Sequence, residues 1–394
     1  MDNPPDIGEL VPPDRTLLGP GPSDVHPRVL RAMATPVVGY LDDAYVDVMS
    51  DVQALLRYLF QTENEHTLAV SGTGSAAMEM AFANLVEPGE TVLVPSNGYF
   101  GDRMGQVAAR AGGRIAAVDA PWGEPLDIDA VVEAFEQHDP TVFGVVHGET
   151  STGVRQPAIE ELAAITEEHE AYLVVDTVAS LGGVEFRTDD WGADVVYSGS
   201  QKCLSAPPGA SPITFNDRAV EKVRAREEPV RTWYLDLLDV WDYWTDDPSY
   251  HHTGPISTIY ALREALRMVA EEGLEARWDR HRTVAGAIKA GIEGMGLSLA
   301  PDDAVWLPTL NAVTTPATID PDAVIETLLA DHGIEIVGGL GDLAGEIFRV
   351  GCMGHSARPA NAAQFVAAFG GALTAQGLNI DYDAGVAATA RALP

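Results

Sequence analysis

Residues 195–209 read VVYSGSQKCLSAPPG. The stretch opens on Val-Val-Tyr and closes on small and turn-forming residues, the pattern of a buried strand ending in a tight loop. Its lysine is unusual in this chain. Lysine occurs only at Lys202, Lys222 and Lys289, although Arg, Asp and Glu are plentiful. Lys222, in DRAVEKVRAREE, and Lys289, in TVAGAIKAGIEG, read as exposed helix residues. Lys202 alone follows a buried strand. Its amine is therefore expected to be desolvated, lowered in pKa and able to attack a carbonyl as a Schiff-base nucleophile. A lysine that merely snorkels from the sheet end is the competing reading.

Outward from this stretch, HTLAVSG, TVLVPSNG, TVFGVVHGE and AYLVVDTVAS are further short strands. Each is apolar along its length and ends in Gly, Ser, Asp or Asn. The helical runs SAAMEMAFANLV and QPAIEELAAITEEHE lie between them. Uniformly apolar strands alternating with helices predict an α/β fold, a mostly parallel sheet sandwiched by helices. Ligands of such sheets sit at the carboxyl ends of the strands, where this chain places its Ser, Asp, Gln and Lys. After about Glu272 the pattern becomes a compact α+β one, with the strand-like runs AVWLPTLNAVTTP, IEIVGG and EIFRVGCMG and a final Ala-rich helix. The expected organisation is an N-terminal arm over 1–15, a large domain over 16–272 and a smaller C-terminal domain over 273–394.

Two more strand ends carry chemistry. In SGTGSAAMEMA, small residues separate a strand from a helix, so backbone N–H groups with the hydroxyls of Thr73 and Ser75 would cradle a phosphate. The same letters match the dinucleotide pattern GxGxxA, but TVLVPSNG ends without the acid that a ribose requires. A phosphate without a nucleotide fits better; a tight turn with no ligand is the bland alternative. Asp176 ends the most apolar strand, where a carboxylate is costly unless it meets a cation or several donors. Opposite a pyridinium nitrogen it would keep that nitrogen protonated; a structural hydrogen bond to a neighbouring loop is the alternative. A phosphate cradle, a strand-end Asp and a strand-end Lys, in that order, describe a pyridoxal phosphate site.

Composition narrows the partners. The chain carries 59 Asp and Glu against 24 Lys and Arg, a formal net charge of −35. Such a surface repels nucleic acid and anionic membranes, so neither is expected as a partner. Acid excess with scarce lysine suggests adaptation to high salt. Two cysteines, Cys203 and Cys352, make no disulfide framework, and His251 beside His252 on a strand would face opposite ways, so no metal site is expected. The N-terminus lacks the features of a signal peptide, which leads to the expectation of a cytoplasmic protein.

With these motifs in order, the sequence resembles the class V, fold-type I pyridoxal phosphate aminotransferases, in particular the alanine–glyoxylate and serine–pyruvate group. The resemblance runs from LLGPGPSDVHPRVLRAM to FRVGCMGHSARPANAAQFVAAF and is carried by HGETSTGV, VVDTVASLGG, YSGSQKCLSAPPG and YHHTGPISTIYALREAL. It implies a homodimeric transaminase moving an amino group from alanine or serine to glyoxylate or pyruvate by a ping-pong cycle. Aspartate or a ureido amino acid is the alternative donor; a class V lyase or desulfurase, or a non-catalytic binding protein, is the alternative activity. The resemblance implies that Lys202 forms the Schiff base, that Gln201, Thr73, Gly74 and Ser75 hold the cofactor phosphate and that Asp176 pairs with the ring nitrogen. It implies Phe100 and Val178 on the two ring faces, Ser151 beside cofactor and substrate, Arg349 on the substrate carboxylate and Gly19 at the substrate mouth. It also implies that Tyr250 and Thr253 reach the partner subunit's phosphate.

Overall fold

The computed structural model describes residues 5–118 and 120–394; the first four residues of the expected arm lie outside them. Seven strands form the central sheet: β1 (His66–Ser71), β2 (Thr91–Pro95), β3 (Arg114–Val118), β4 (Val142–Val146), β5 (Tyr172–Asp176), β6 (Val195–Tyr197) and β7 (Ala210–Phe215). Their spatial order is β1-β7-β6-β5-β4-β2-β3. All neighbours run parallel except β7, which is antiparallel to both β1 and β6. The expected mostly parallel α/β sheet is thus what forms. Every residue of β4 and β6 is buried, which explains why their sequences show no polar alternation.

Register positions the chemistry. Val146 on β4 pairs with Asp176 on β5, and Asp176 pairs with Tyr197 on β6. The loops after β4, β5 and β6 therefore leave the sheet side by side at one edge. They carry HGETS, TVAS and SGSQK.

Helices α2 (Gly74–Leu85) and α3 (Tyr99–Ala111) start at this edge, after β1 and β2, whereas α1 (Asp43–Phe60) leads into β1. α1 starts with the Asp42 side chain accepting from Ala44 N. α2 has no such cap: the Thr73 hydroxyl makes no capping bond, and no acid lies in its first turn. Its first N–H groups are left for another acceptor.

Apolar side chains gather in two large buried clusters. One runs from Val29 to Trp278 around the central sheet. The other joins Leu18 to residues from Val284 to Leu373, among them Phe348, Phe365 and Phe369. Helix α4 (Leu274–Gly294) contributes Trp278 to the first and Val284, Ile288 and Ile292 to the second. The second cluster packs on an antiparallel sheet of β8 (Leu310–Thr314), β9 (Val337–Gly338) and β10 (Ile347–Gly351), ordered β8-β10-β9, and on helix α5 (Pro359–Ala375). Thr16–Leu17 pairs in parallel with Ile334–Glu335, so the chain's start is held by its last third. Among the described residues, no helix is long and apolar enough to cross a membrane.

Candidate active site

The chain turns sharply after β6. Ser200 Oγ donates to Pro207 O at 2.7 Å, Ala206 N donates to Ser200 O, and Ser205 takes a left-handed φ of 54°. This knot holds the Lys202 backbone rigidly. Ser23 adds a clasp: its N–H donates to Gln201 O, and its hydroxyl donates to Lys202 O at 2.7 Å and lies 2.9 Å from Ser205 Oγ. The Lys202 amine donates to Pro20 O. Gly21, at φ 110°, lies so close that a Cβ there would stand 2.5 Å from Lys202 Cδ, so only glycine fits.

Lys202 differs from the other two lysines in having no carboxylate within ion-pair distance among the described residues. Lys222, expected on a solvated face, is instead drawn to Glu90 at 2.6 Å with its side chain 11% exposed. Lys289 is paired with Asp303 and Glu293. Burial, the largest influence, lowers the Lys202 pKa to about 8, while the charges of Cys203, Asp176 and Glu149 oppose the fall and Arg349 adds to it.

Asp176 faces the same space from the end of β5. Its Oδ1 accepts from Val178 N at 2.8 Å and its Oδ2 from the Tyr197 hydroxyl at 2.9 Å. Burial raises its pKa to about 6 in spite of those two donors. The donor Tyr197 was not apparent from sequence, where it reads as one more core residue.

Between these groups lies a cleft open to solvent on one side. Eight of the expected residues line it together: Thr73, Gly74, Ser75, Phe100, Asp176, Val178, Gln201 and Lys202. Ser151 and Arg349 stand beside it. Ser151 is buried with its hydroxyl donating to Glu149. Arg349 donates through Nε to Gly338 O at 2.7 Å and through Nη1 to the carbonyl of Thr150, itself a lining residue. Gly19 lies in the turn over Lys202, its carbonyl pressed against Gly351. Tyr250 and Thr253 are exposed and not among the lining residues; the Tyr250 ring packs on Tyr40 with centroids 5.1 Å apart. Their neighbours His251 and His252 are in a loop rather than a strand, and instead of facing opposite ways their Nδ1 atoms meet at 2.8 Å. His252 Nε2 then reaches Ser71 Oγ at 2.6 Å, at the end of β1.

Sequence reading also missed Arg103, Met78 and Thr150 in the lining. Arg103 lies one helical turn after Tyr99, donates to its hydroxyl at 2.8 Å and sits 5.7 Å from the Phe100 ring centroid. The i,i+4 spacing in NGYFGDR was the available signal.

The desulfurase alternative needs a reactive thiol. Cys203 and Cys352 are both fully buried, and burial pushes each thiol up to about 12. Neither is poised as a thiolate nucleophile.

Residues 28–347 match the Aminotransferase class-V family. The chain belongs to that family. Alanine–glyoxylate aminotransferase of Oryctolagus cuniculus is 41% identical over 356 residues, 89% of this chain and 91% of that protein. The crystal structure of an alanine–glyoxylate aminotransferase from Nostoc sp. superposes with a TM-score of 0.92 at 47% identity, covering 93% of this chain and 97% of that one. That of ureidoglycine–glyoxylate aminotransferase from Bacillus subtilis superposes with a TM-score of 0.96 at 39% identity, covering 98% and 99%. The family and fold expected from the ordered motifs are thereby met, and this aminotransferase uses pyridoxal 5′-phosphate.

The residues present fit that cofactor. The uncapped N-terminus of α2, flanked by the free hydroxyls of Thr73 and Ser75, suits a phosphate. Gln201 Oε1 is buried with no partner, which leaves its amide free to turn an NH₂ toward the same phosphate. Asp176 is an acid whose burial cost a cationic ring nitrogen would offset.

Proposed function

We propose that this aminotransferase takes its amino group from a small L-amino acid, alanine or serine, and passes it to glyoxylate or pyruvate. The observation that carries the reading is Lys202, a desolvated amine without an ion-pair partner among the described residues, sharing one cleft with Asp176 and the bare end of α2. Bound pyridoxal phosphate supplies a conjugated ring that spreads an electron pair released at the substrate Cα. Thr73, Gly74, Ser75 and Gln201 hold its phosphate, and Asp176 holds its ring nitrogen in the protonated form. Phe100 and Val178 confine the ring from opposite sides. Arg349, fixed through Nε and Nη1, keeps a donor for a substrate carboxylate. Lys202, with its pKa near 8, is neutral often enough near pH 7 to take the Cα proton and deliver it back.

A ureido amino acid donor is the second reading, favoured by the near-complete superposition on the Bacillus subtilis enzyme. Arg103 also lines the cleft and gives a polar or anionic side chain something to meet. The test is the visible spectrum of the cofactor-loaded protein, followed as alanine and then glyoxylate are added. A band that fades with alanine and returns with glyoxylate is the expected result. A band untouched by alanine or serine but bleached by a ureido amino acid would overturn the donor assignment.

The same proposal includes a homodimer adapted to high salt. Val37, Leu41, Trp233, Tyr234 and Tyr250 are all more than 40% exposed, more apolar surface than a monomer needs to present. Tyr250 touches Tyr40, and Trp233 stacks on His251 with centroids 4.4 Å apart, so these segments adjoin. With 59 acids against 24 bases, subunits repel one another unless salt screens them. Sedimentation should show a dimer in molar salt and dissociation or unfolding on dilution. A stable monomer in molar salt would contradict the dimer, and a dimer fully stable in dilute buffer would contradict the salt requirement.

A further inference from the structure

Glu149 takes no part in the reading above, yet it is only 1% exposed and lies between two residues, Gly148 and Thr150, that line the cleft. Its Oε1 accepts from Ser151 N at 2.9 Å and from Ser151 Oγ at 2.7 Å. Its Oε2 accepts from Phe100 N at 3.0 Å, and the Gly101 N–H is also directed at this carboxylate. Ser151 Oγ in turn accepts from Tyr99 N at 3.0 Å. These bonds close a ring joining the loop after β4 to the first turn of α3.

The sequence around α3 explains why a distant acid is needed. The residue before the helix is Gly98, which has no side chain to cap it. A Cβ at Gly98 would collide with Cγ and Cδ of Glu149, so the carboxylate lies flush against the backbone there. Burial raises the pKa of Glu149 above its ordinary value, while the N–H groups of Ser151, Phe100 and Gly101, the Ser151 hydroxyl and the helix dipole oppose that rise and favour the anion. No Lys or Arg pairs with Glu149 within 4.0 Å among the described residues. The groups that feel its charge are Lys202, Arg349, Asp176 and Tyr197.

We propose that Glu149 is a positioning residue of this aminotransferase: as an anion it clamps the turn that carries Phe100 to the loop that carries Thr150 and Ser151, and so sets the ring-stacking wall over the cleft. Both Ser151 donors are engaged by Glu149, so the serine acts as a link in the clamp. The inference rests on the aminotransferase reading only for what it says of the bound cofactor.

The Glu149→Gln variant keeps the shape but offers one acceptor atom where the carboxylate offers two, so one arm of the clamp must open. In cofactor-free protein, hydrogen exchange of the Phe100 and Gly101 amides, or of Ser151, should quicken roughly tenfold for a lost bond of ordinary strength. In cofactor-loaded protein, the pH midpoint of the visible band should fall by on the order of half a unit, because a negative charge near the Lys202 nitrogen is gone. A merely structural role would not move that midpoint. Ser151→Ala, which keeps the charge, should quicken exchange at Tyr99 and leave the midpoint in place. Wild-type exchange at all three amides in Glu149→Gln would overturn the clamp, and an unmoved midpoint would overturn the need for an anion. Should Glu149→Gln not fold, Ser151→Ala decides alone: unchanged exchange at Tyr99 would overturn the proposal. The exchange measurements need no substrate, so a wrong amino donor leaves them intact.

Discussion

Lys202→Ala is expected to abolish the visible absorption band that pyridoxal phosphate gives with the wild-type protein, and to lower turnover by roughly 10⁴-fold or more. Two losses coincide in this variant. In the roles proposed for Lys202, the amine that attaches the cofactor is gone, and so is the base that moves the Cα proton. The fold should tolerate the change, because among the described residues Lys202 makes no ion pair and its amine donates only to Pro20 O. The Ser23, Ser200 and Ser205 contacts that shape its loop involve backbone atoms or other side chains. Added methylamine restoring part of the turnover would identify the missing group as a base. Turnover within tenfold of wild type would end the assignment of Lys202.

The second large effect is expected from Asp176→Asn, and it has two readouts. Turnover should fall by roughly 10²–10⁴-fold, since an amide cannot hold the ring nitrogen protonated by opposing its charge. Stability of the cofactor-free protein should move the other way. The Asp176 carboxyl titrates near 6 when folded, above its ordinary 3.8, chiefly because burial disfavours the charged form. Between about pH 4 and pH 6 the folded state therefore binds a proton that the unfolded state has lost. Stability drains away as pH rises through that window, by about 3 kcal/mol in all, and the full penalty persists above it. Asparagine does not titrate, so its advantage over aspartate should grow from pH 4 to pH 6 and then level off. Half-buried His252 and His355, lowered to about 4 mainly by desolvation, add a slope of the opposite sign, but it is common to both proteins and cancels in the difference. Parallel stability curves for the two proteins would show that Asp176 bears no such cost. Binding of the cofactor should narrow the gap, as a cationic ring nitrogen offsets the buried charge.

The meeting of Asp176 and Lys202 at one cleft was legible because sheet strands covered on both faces are uniformly apolar, and a polar residue ending such a run stands out. Asp176 and Lys202 are of this kind. The uncapped start of α2 was legible for a related reason, small residues between a strand and a helix. Tyr197 was not, since a tyrosine inside an apolar strand is ordinary, and its bond to Asp176 depends on the register between β5 and β6. Glu149 lay inside a motif already singled out, but its partners start α3, half a hundred residues earlier, where a missing cap is visible only in three dimensions. Lys222 read as solvated from its charged neighbours, whereas Glu90 from another part of the chain reaches it. Period-two alternation does not apply at His251 and His252, because the backbone there forms a loop and not a strand. Local pattern reports which residues a sheet buries; it does not report which distant groups meet at its edge.

The pairing of Thr16–Leu17 with Ile334–Glu335 also governs the order in which this protein can be assembled by a ribosome. Leu18 belongs to a core whose other members begin at Val284 and end at Leu373. At ordinary elongation rates of roughly 5–20 residues per second, the first strand waits on the order of tens of seconds before its partner exists. During that interval Pro20 and Gly21 have no fixed anchor on their N-terminal side, although the loop of Lys202 has already been made. The Lys202 amine therefore acquires its final surroundings only after Glu335 has been made, and a nascent chain released before residue 334 would hold the sheet without an anchored turn over its lysine.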